Sequence, residues 1–259
     1  MPVERVKNHF EEEANIIKRA KNSFNRALSV PMYNDILKDD EQLENIINAL
    51  KIAPNGKILD LGTGTGYLAF PLAERFPDCE VIGLDVADAV VASNNERAGK
   101  YGINNLHFIS YNGIDLPPDC EALSSIITRY ALHHFPNIDK TFGALGGFVK
   151  PDGQIFISDP TPNEDDENRI VDKFMRVKDD GHIKFYNKEE FESLLQKYGF
   201  KTDACFYSEM NIAFPEKEEY LHITSTIDQK MRESYDIKII DGRVHLKLKI
   251  LNISFIKSN

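Results

Sequence analysis

KILDLGTGTG, residues Lys57 to Gly66, joins two signals. Ile58, Leu59 and Leu61 form a short apolar run of strand length, and Gly62, Gly64 and Gly66 follow at alternate positions. Glycines there permit a tight turn and bring backbone amides close to a ligand. The residues after Gly66 predict a helix through about Arg75, with Pro71 tolerable only near its first turns. The unit is strand, glycine loop, helix.

The alternation continues outward. EVIGLDV predicts a second strand, VVASNNERAGKYG a helix and NLHFISY a third strand. LSSIITRYAL, a helical stretch around Ile138 to Val149, and GQIFISD follow. Such spacing favours right-handed crossovers and a mostly parallel α/β sheet covered on both faces, with the active crevice outside the carboxyl ends of the strands. NKEEFESLLQKYGF predicts a surface helix capped by Asn187 and Glu190, ended by Gly199, with Phe191, Leu194 and Leu195 inward. In the tail, strands are expected around Lys201 to Phe214 and Gly242 to Lys257. There the parity of Leu246, Leu248 and Ile250 against Ile253 and Phe255 suggests a register change near Asn252.

Upstream, residues 1–42 predict a helical cap broken near Pro31, with Phe10, Ala14 and Ile17 as one apolar face. Leu43, Ile46, Ile47 and Leu50 space a helix that packs on the sheet. The main domain is expected over 43–259, with a substrate-loop insertion around 160–187 that begins PTPNEDDENRI.

A net charge of -10 argues against an extended nucleic-acid surface, since phosphate contacts need clustered Lys and Arg. Cys79, Cys120 and Cys205 form no CxxC pair, so neither a disulfide scaffold nor a cysteine zinc site is expected. The start, MPVERVKNHFEEEANII, lacks a signal-peptide core, and no apolar run approaches bilayer length. The expected compartment is the cytoplasm, without stable membrane insertion, as a monomer or homodimer.

Asp85 ends the second strand, where an acid can accept both hydroxyls of a ribose or cap a turn. A dinucleotide fingerprint starting at Gly62 would need a third glycine where Tyr67 stands, and no GKS or GKT ending follows. With the acid, the loop points to a nucleoside ligand.

DLGTGTG resembles motif I of the class I S-adenosylmethionine-dependent methyltransferases, and GLDVAD resembles its ribose-binding successor. FISYNGIDLP resembles the family's third-strand segment. IITRYALHHFPN is similar to the fourth-strand segment of the small-molecule branch that includes ubiquinone/menaquinone-biosynthesis and sterol methyltransferases. The resemblance implies a Rossmann-like, mostly parallel seven-stranded sheet with an antiparallel C-terminal edge strand and helices on both faces. It implies S-adenosylmethionine as methyl donor, S-adenosylhomocysteine as product and a small-molecule acceptor. Gly62, Gly64 and Gly66 would approach the donor, Asp60 would hold its amino-acid portion, Asp85 its ribose, and Val86 would pack beside its adenine. Asn112, with Gly113, falls where many relatives use Asp for the adenine amino group; Asn112 either accepts there or caps the local backbone. Thr128 and Arg129 would lie near the methionine portion. For Arg129, a donor carboxylate, an acidic substrate group and a structural ion pair all remain open.

Methyl transfer is an in-line displacement that depends on orientation, and an oxygen or carbon acceptor can also require a base. His134 is the preferred base among the adjacent His133 and His134, with His133 as a substrate contact; the alternative is that both shape the loop. Two adjacent histidines supply no converging metal set. Asp159 either orients His134, receives a substrate group or caps the following turn. His182 and Tyr186 approach the acceptor or anchor their loop. Phe10, Phe24 and Tyr33 pack normally or form a lid. The competing functions are a nicotinamide-dependent oxidoreductase and a catalytically inactive donor-binding protein.

Overall fold

The computed structural model describes residues 2–27 and 39–258, with the backbone alone for 2–10 and 27. The expected break near Pro31 and the side chains of Phe10 and Tyr33 lie outside the described residues. Among those residues eight strands form one sheet: β1 (Lys57–Leu61), β2 (Glu80–Asp85), β3 (Leu106–Ser110), β4 (Leu123–Arg129), β5 (Val149–Thr161), β6 (Phe200–Ala213), β7 (Lys238–Ile240) and β8 (Arg243–Lys257). Their order is β3-β2-β1-β4-β5-β8-β6, and β7 pairs with β8. The strands from β3 to β5 run parallel to their neighbours, whereas β8 is antiparallel to both β5 and β6. The antiparallel C-terminal strand therefore lies one place in from the edge, which β6 forms.

Side-chain alternation along the central strands divides the core into two layers. On one face, Ile58, Val81, Ile127 and Phe156 meet the three helices that follow α1 (Pro2–Ala27), namely α2 (Asp40–Ala49), α3 (Ala69–Arg75) and α4 (Asp88–Tyr101), through Ile46, Ile47, Leu72 and Val91. Helix α1 itself packs against α4. On the other face, Leu59, Leu61, Ile126 and Ile155 meet α5 (Ile138–Phe148) and, beyond a short α6 (Ile170–Arg176), α7 (Lys188–Gln196) through Phe142, Leu145, Phe191 and Leu195. Pro71 falls in the first turn of α3, where its missing amide costs nothing. Asn187 and Glu190 form a reciprocal cap on α7, and Gly199 follows it at φ 81°.

The register change expected near Asn252 does not occur: β8 pairs continuously with β5 from Lys249 to Ile256. The apolar parity changes for another reason. Val244, Leu246, Leu248 and Ile250 bury one face, whereas every residue from Ile250 to Phe255 is buried, because β8 there lies between β5 and β6 with helices over both faces. The irregularity falls instead in β6, between Thr202 and Ala204, where Asp203 meets Lys51 at 2.6 Å.

A third core lies beyond the carboxyl ends of the parallel strands. Residues 162–187, carrying α6, meet a second insertion that the sequence reading did not anticipate, residues 214–242, carrying α8 (Glu218–Ser225) and α9 (Gln229–Ser234). Phe174 stacks on Phe214 and Tyr220, over Leu246 and Leu248 of β8. Asp166 ties the insertions together. Its oxygens accept the amides of Ile170 and Val171 at the start of α6, at 2.7 and 3.1 Å, and the Tyr235 hydroxyl at 2.9 Å.

Asp166→Ala leaves those donors unpaired and is expected to lower unfolding stability by about 2–4 kcal/mol. Urea denaturation measures this; a change within about 0.5 kcal/mol, the range of ordinary surface substitutions, contradicts the tie.

Candidate active site

Parallel strands leave their carboxyl ends open where the strand order reverses, between β1 and β4, and a cavity of about 810 Å³ lies there. Its floor is the glycine loop. The amides of Gly62 and Thr63 both donate to the Leu84 carbonyl, at 2.8 and 3.0 Å, so the loop is fastened to the end of β2. Gly62 and Gly64 have φ of 74° and 50°. A side chain at Gly62 would meet Ala131 Cβ at 2.4 Å, whereas one at Gly64 would meet no atom within 4 Å. Gly64 presents bare backbone to the cavity.

Two acids flank this floor. Asp85 Oδ2 accepts the Gly64 amide at 2.8 Å and Oδ1 the Ala87 amide at 2.9 Å, leaving the carboxylate with further lone pairs at the cavity wall. Burial raises its pKa against the pull of those amides. Asp60 Oδ2 accepts the Thr63 hydroxyl at 2.7 Å, and burial pushes Asp60 up to about 7, only partly opposed by that bond. Neither acid makes an ion pair among the described residues.

Arg129 ends β4 and lines the opposite wall. Its guanidinium carbon lies 4.1 Å from the Tyr67 ring centre and 3.9 Å from that of Tyr130, while Nε and Nη2 donate to Gln42 Oε1 at 2.9 and 2.7 Å. The aromatic faces hold the cation by their quadrupoles. Gln42 is a site-shaping residue outside the sequence candidates; its signal was a polar position one turn before Ile46 on the inward face of α2. Tyr130 sits at φ 55°, a conformation costly for a bulky side chain and typical of constrained sites.

Asp60, Gly62, Gly64, Gly66, Asp85, Val86, Gly113, Arg129, His133 and His134 all line the cavity. Asn112, Thr128, Asp159, His182 and Tyr186 do not. Asn112 takes the local option: Oδ1 accepts the amides of Ile114 and Asp115 at 2.8 Å each, and Nδ2 donates to Asp115. Thr128 is buried within the sheet, one residue before the half-buried end of β4. His182 anchors the first insertion through a 2.8 Å bond from Nε2 to Asp172 Oδ1. Burial alone would raise Asp172, yet His182, the Phe185 amide and Arg169 together hold it below its ordinary range. Tyr186 is buried against Phe191. Between these two anchors, Phe185 faces the cavity instead.

Asp159 pairs with His133, not with His134: His133 Nδ1 lies 2.8 Å from Asp159 Oδ1. Burial lowers His133 and raises Asp159, so charge separation within the pair is disfavoured. His134 is also pushed down by burial and by its neighbour His133. Phe24 of α1 meets His134 edge-on at 5.4 Å, and Ile17 of α1 packs over Gly113, so one helix covers both sides of the cavity. Among the described residues no cluster of three His, Cys, Asp or Glu can hold a metal, and no helix is long and apolar enough to cross a membrane.

A family model described as a methyltransferase domain matches residues 37–204. The uncharacterized methyltransferase YcgJ of Bacillus subtilis is 25% identical over 169 residues, covering 63% of this chain and 65% of that protein. The demethylmenaquinone methyltransferase of Thermus thermophilus is 32% identical over 114 residues, covering 44% and 51%. The chain thus spans half to two thirds of these relatives' length. In three dimensions the YcgJ crystal structure superimposes with a TM-score of 0.74 at 20% identity, covering 85% of this chain and 100% of that one. A phosphoethanolamine N-methyltransferase 2 from Haemonchus contortus, solved with S-adenosyl-L-methionine, gives 0.57 at 17% identity, covering 91% and 60%.

The contrast between the two glycines is measurable. Gly62→Ala combines a positive φ with the Ala131 collision and is expected to cost about 2–4 kcal/mol of unfolding stability. Gly64→Ala, with open space ahead of it, should cost only about 1–2 kcal/mol. Equal costs in parallel urea titrations contradict this geometry.

Proposed function

Since the chain belongs to the methyltransferase domain family, we propose that it transfers a methyl group from S-adenosylmethionine to a small-molecule acceptor. The observation that carries the reading is Asp85: a carboxylate fixed by two backbone amides at the cavity wall, directly beside the open backbone of Gly64. That arrangement suits the two hydroxyls of a ribose. Val86 and Gly113 line the adjoining wall and suit an adenine, while Asp60 and the loop amides suit an amino-acid portion. When bound, the donor supplies an electrophilic methyl on a sulfonium.

The rest of the cavity suits the acceptor. Met175, Phe185, Met210, Ile212 and Leu248 give it an apolar wall, with Lys178 and Asp180 at one side. Its volume lies towards the upper end of the range of about 300–1,000 Å³ typical of small-molecule sites, in keeping with two ligands held together. Rate in such a site comes mainly from orientation: the chain holds the acceptor atom in line with the bond to be broken and excludes water. Arg129, bracketed by Tyr67, Tyr130 and Gln42, supplies a rigid positive charge at the wall for a carboxylate.

Calorimetric titration with S-adenosylhomocysteine tests this reading. Saturable binding is expected, weakened at least about 100-fold in Asp85→Ala, because a buried polar ligand would be left unpaired. No binding to the folded wild-type protein refutes the reading.

Asp60 adds a pH dependence. Its carboxyl titrates at about 7, and an ammonium group beside it requires the ionised form. Binding therefore releases a proton below pH 7, and affinity should fall by up to about tenfold for each unit below that value. Asp60→Asn should flatten this slope. An unchanged slope in the variant would show that another group is responsible.

A further inference from the structure

Arg97, Arg129 and Lys178 bring positive charge to the cavity wall, and the chain itself engages the two arginines. Arg97 donates to the Thr65 carbonyl at 3.2 Å and lies over the Phe70 ring, while Arg129 donates to Gln42. Lys178 differs. Its Nζ makes no hydrogen bond or ion pair among the described residues, and its contact is the Phe214 ring, centred 5.5 Å away. The other half-buried lysines described each reach a carboxylate within 3.5 Å or, in Lys257, two carbonyls at 2.7 Å.

Lys178 is also held in place. It follows α6 in a turn closed by its own amide on the Met175 carbonyl at 3.1 Å and by Arg176 Nη2 on the Ile183 carbonyl at 2.7 Å. Asp179 meets Arg19 of α1 at 3.3 Å, and Gly181, at φ 84°, lies so close to α1 that a Cβ there would stand 2.9 Å from the Ile16 carbonyl oxygen. The turn is therefore pinned between α1 and the first insertion. Burial disfavours the charged form of Lys178, opposed by Asp180. An ammonium withdrawn from water without a partner is costly, and an anionic ligand removes that cost.

We propose that Lys178 is the anion anchor of the acceptor site and that the acceptor is a monocarboxylate on an apolar frame. Assigning this anion to the acceptor rests on the methyl-transfer reading above. Met175, Phe185, Met210, Ile212 and Leu248 supply the apolar wall. Lys178 offers one positive charge through three N–H donors, and Asp180 on the same side repels a second negative charge. A monoanionic carboxylate fits there, whereas a dianionic phosphate is opposed. Fixing one end of the acceptor restricts where its other end can lie, so the anchor acts through orientation, with no bond or proton changing hands at Lys178.

The test is calorimetric titration of octanoate, and of its neutral counterpart octanamide, into the full-length protein saturated with S-adenosylhomocysteine. Octanoate is expected to bind at least about tenfold more tightly, the scale of a hydrogen bond to a charged group. Lys178→Met, which keeps the length and apolar stem of the side chain, should erase this preference, and Lys178→Arg should keep it. A residue that only packs the turn would instead weaken both probes alike. Equal affinity for the two probes in the wild type, a preference that survives Lys178→Met, or tighter binding of octyl phosphate than of octanoate overturns the proposal. Should Lys178→Met not fold by circular dichroism, acetylation of the wild type by acetic anhydride decides the question: octanoate should slow the labelling of Lys178 and octanamide should not, and equal labelling with and without octanoate overturns the anchor. If S-adenosylhomocysteine does not bind, the donor reading fails, and octanoate titrated into the ligand-free protein still decides whether Lys178 holds a carboxylate.

Discussion

Asp60 and Asp85 end adjacent parallel strands, and both carboxyls are buried without an ion pair among the described residues. Water is replaced by a threonine hydroxyl for one and by two backbone amides for the other. Much of the surrounding geometry serves that exchange. The Gly64 amide can reach Asp85 only because the loop turns through positive φ, and the loop holds that turn because Gly62 and Thr63 share the Leu84 carbonyl. The raised pKa of Asp60 measures how incomplete the compensation is. Hydroxyl and cationic groups placed beside these two carboxyls would complete it.

The same economy governs the opposite side of the cavity. His133 and Asp159 satisfy each other at one pair of atoms, and Asp172 gathers His182, Arg169 and the Phe185 amide at the base of the first insertion. These networks are fixed by packing from both insertions and from β8. A polar centre buried this deeply gains rigidity from each satisfied bond and is penalised for each missing one.

Legibility in the sequence followed the range of the chemistry. The glycine loop, Asp85 and the cap on α7 are local: the residues that interact there lie within a few positions of one another or at the ends of neighbouring strands, and strand length alone brings them together. Thr128 and Arg129 show the limit. Consecutive residues at a strand end point to opposite faces, and nothing in IITRYAL says which faces the crevice. For Asn112 the sequence leaves ligand and turn open, and in the fold Asp115 and Ile114 occupy both ends of its amide. His182 and Tyr186 look like cavity residues only until Asp172 and Phe191 are seen beside them. The second insertion was invisible because Phe214, Tyr220 and Tyr235 bury themselves against a distant α6, and no periodicity in their own segment reports that contact. In β8 the alternation was read correctly but given the wrong cause: full burial, not slippage, changes the parity.

The two halves of the cavity come from different stretches of chain. The glycine loop and its two acids lie between Asp60 and Gly113, inside the segment matched by the family model, whereas Met210, Ile212 and Leu248 lie beyond its end. Both insertions attach at the ends of β5, β6 and β8, away from β1 and β2. Divergence can therefore rewrite one half while the other stays fixed: lengthening or recolouring the segments 162–187 and 214–242 alters the lining of that half without disturbing the glycine loop. Gene duplicates of such a chain are free to drift toward new chemistries of recognition while inheriting an intact engine.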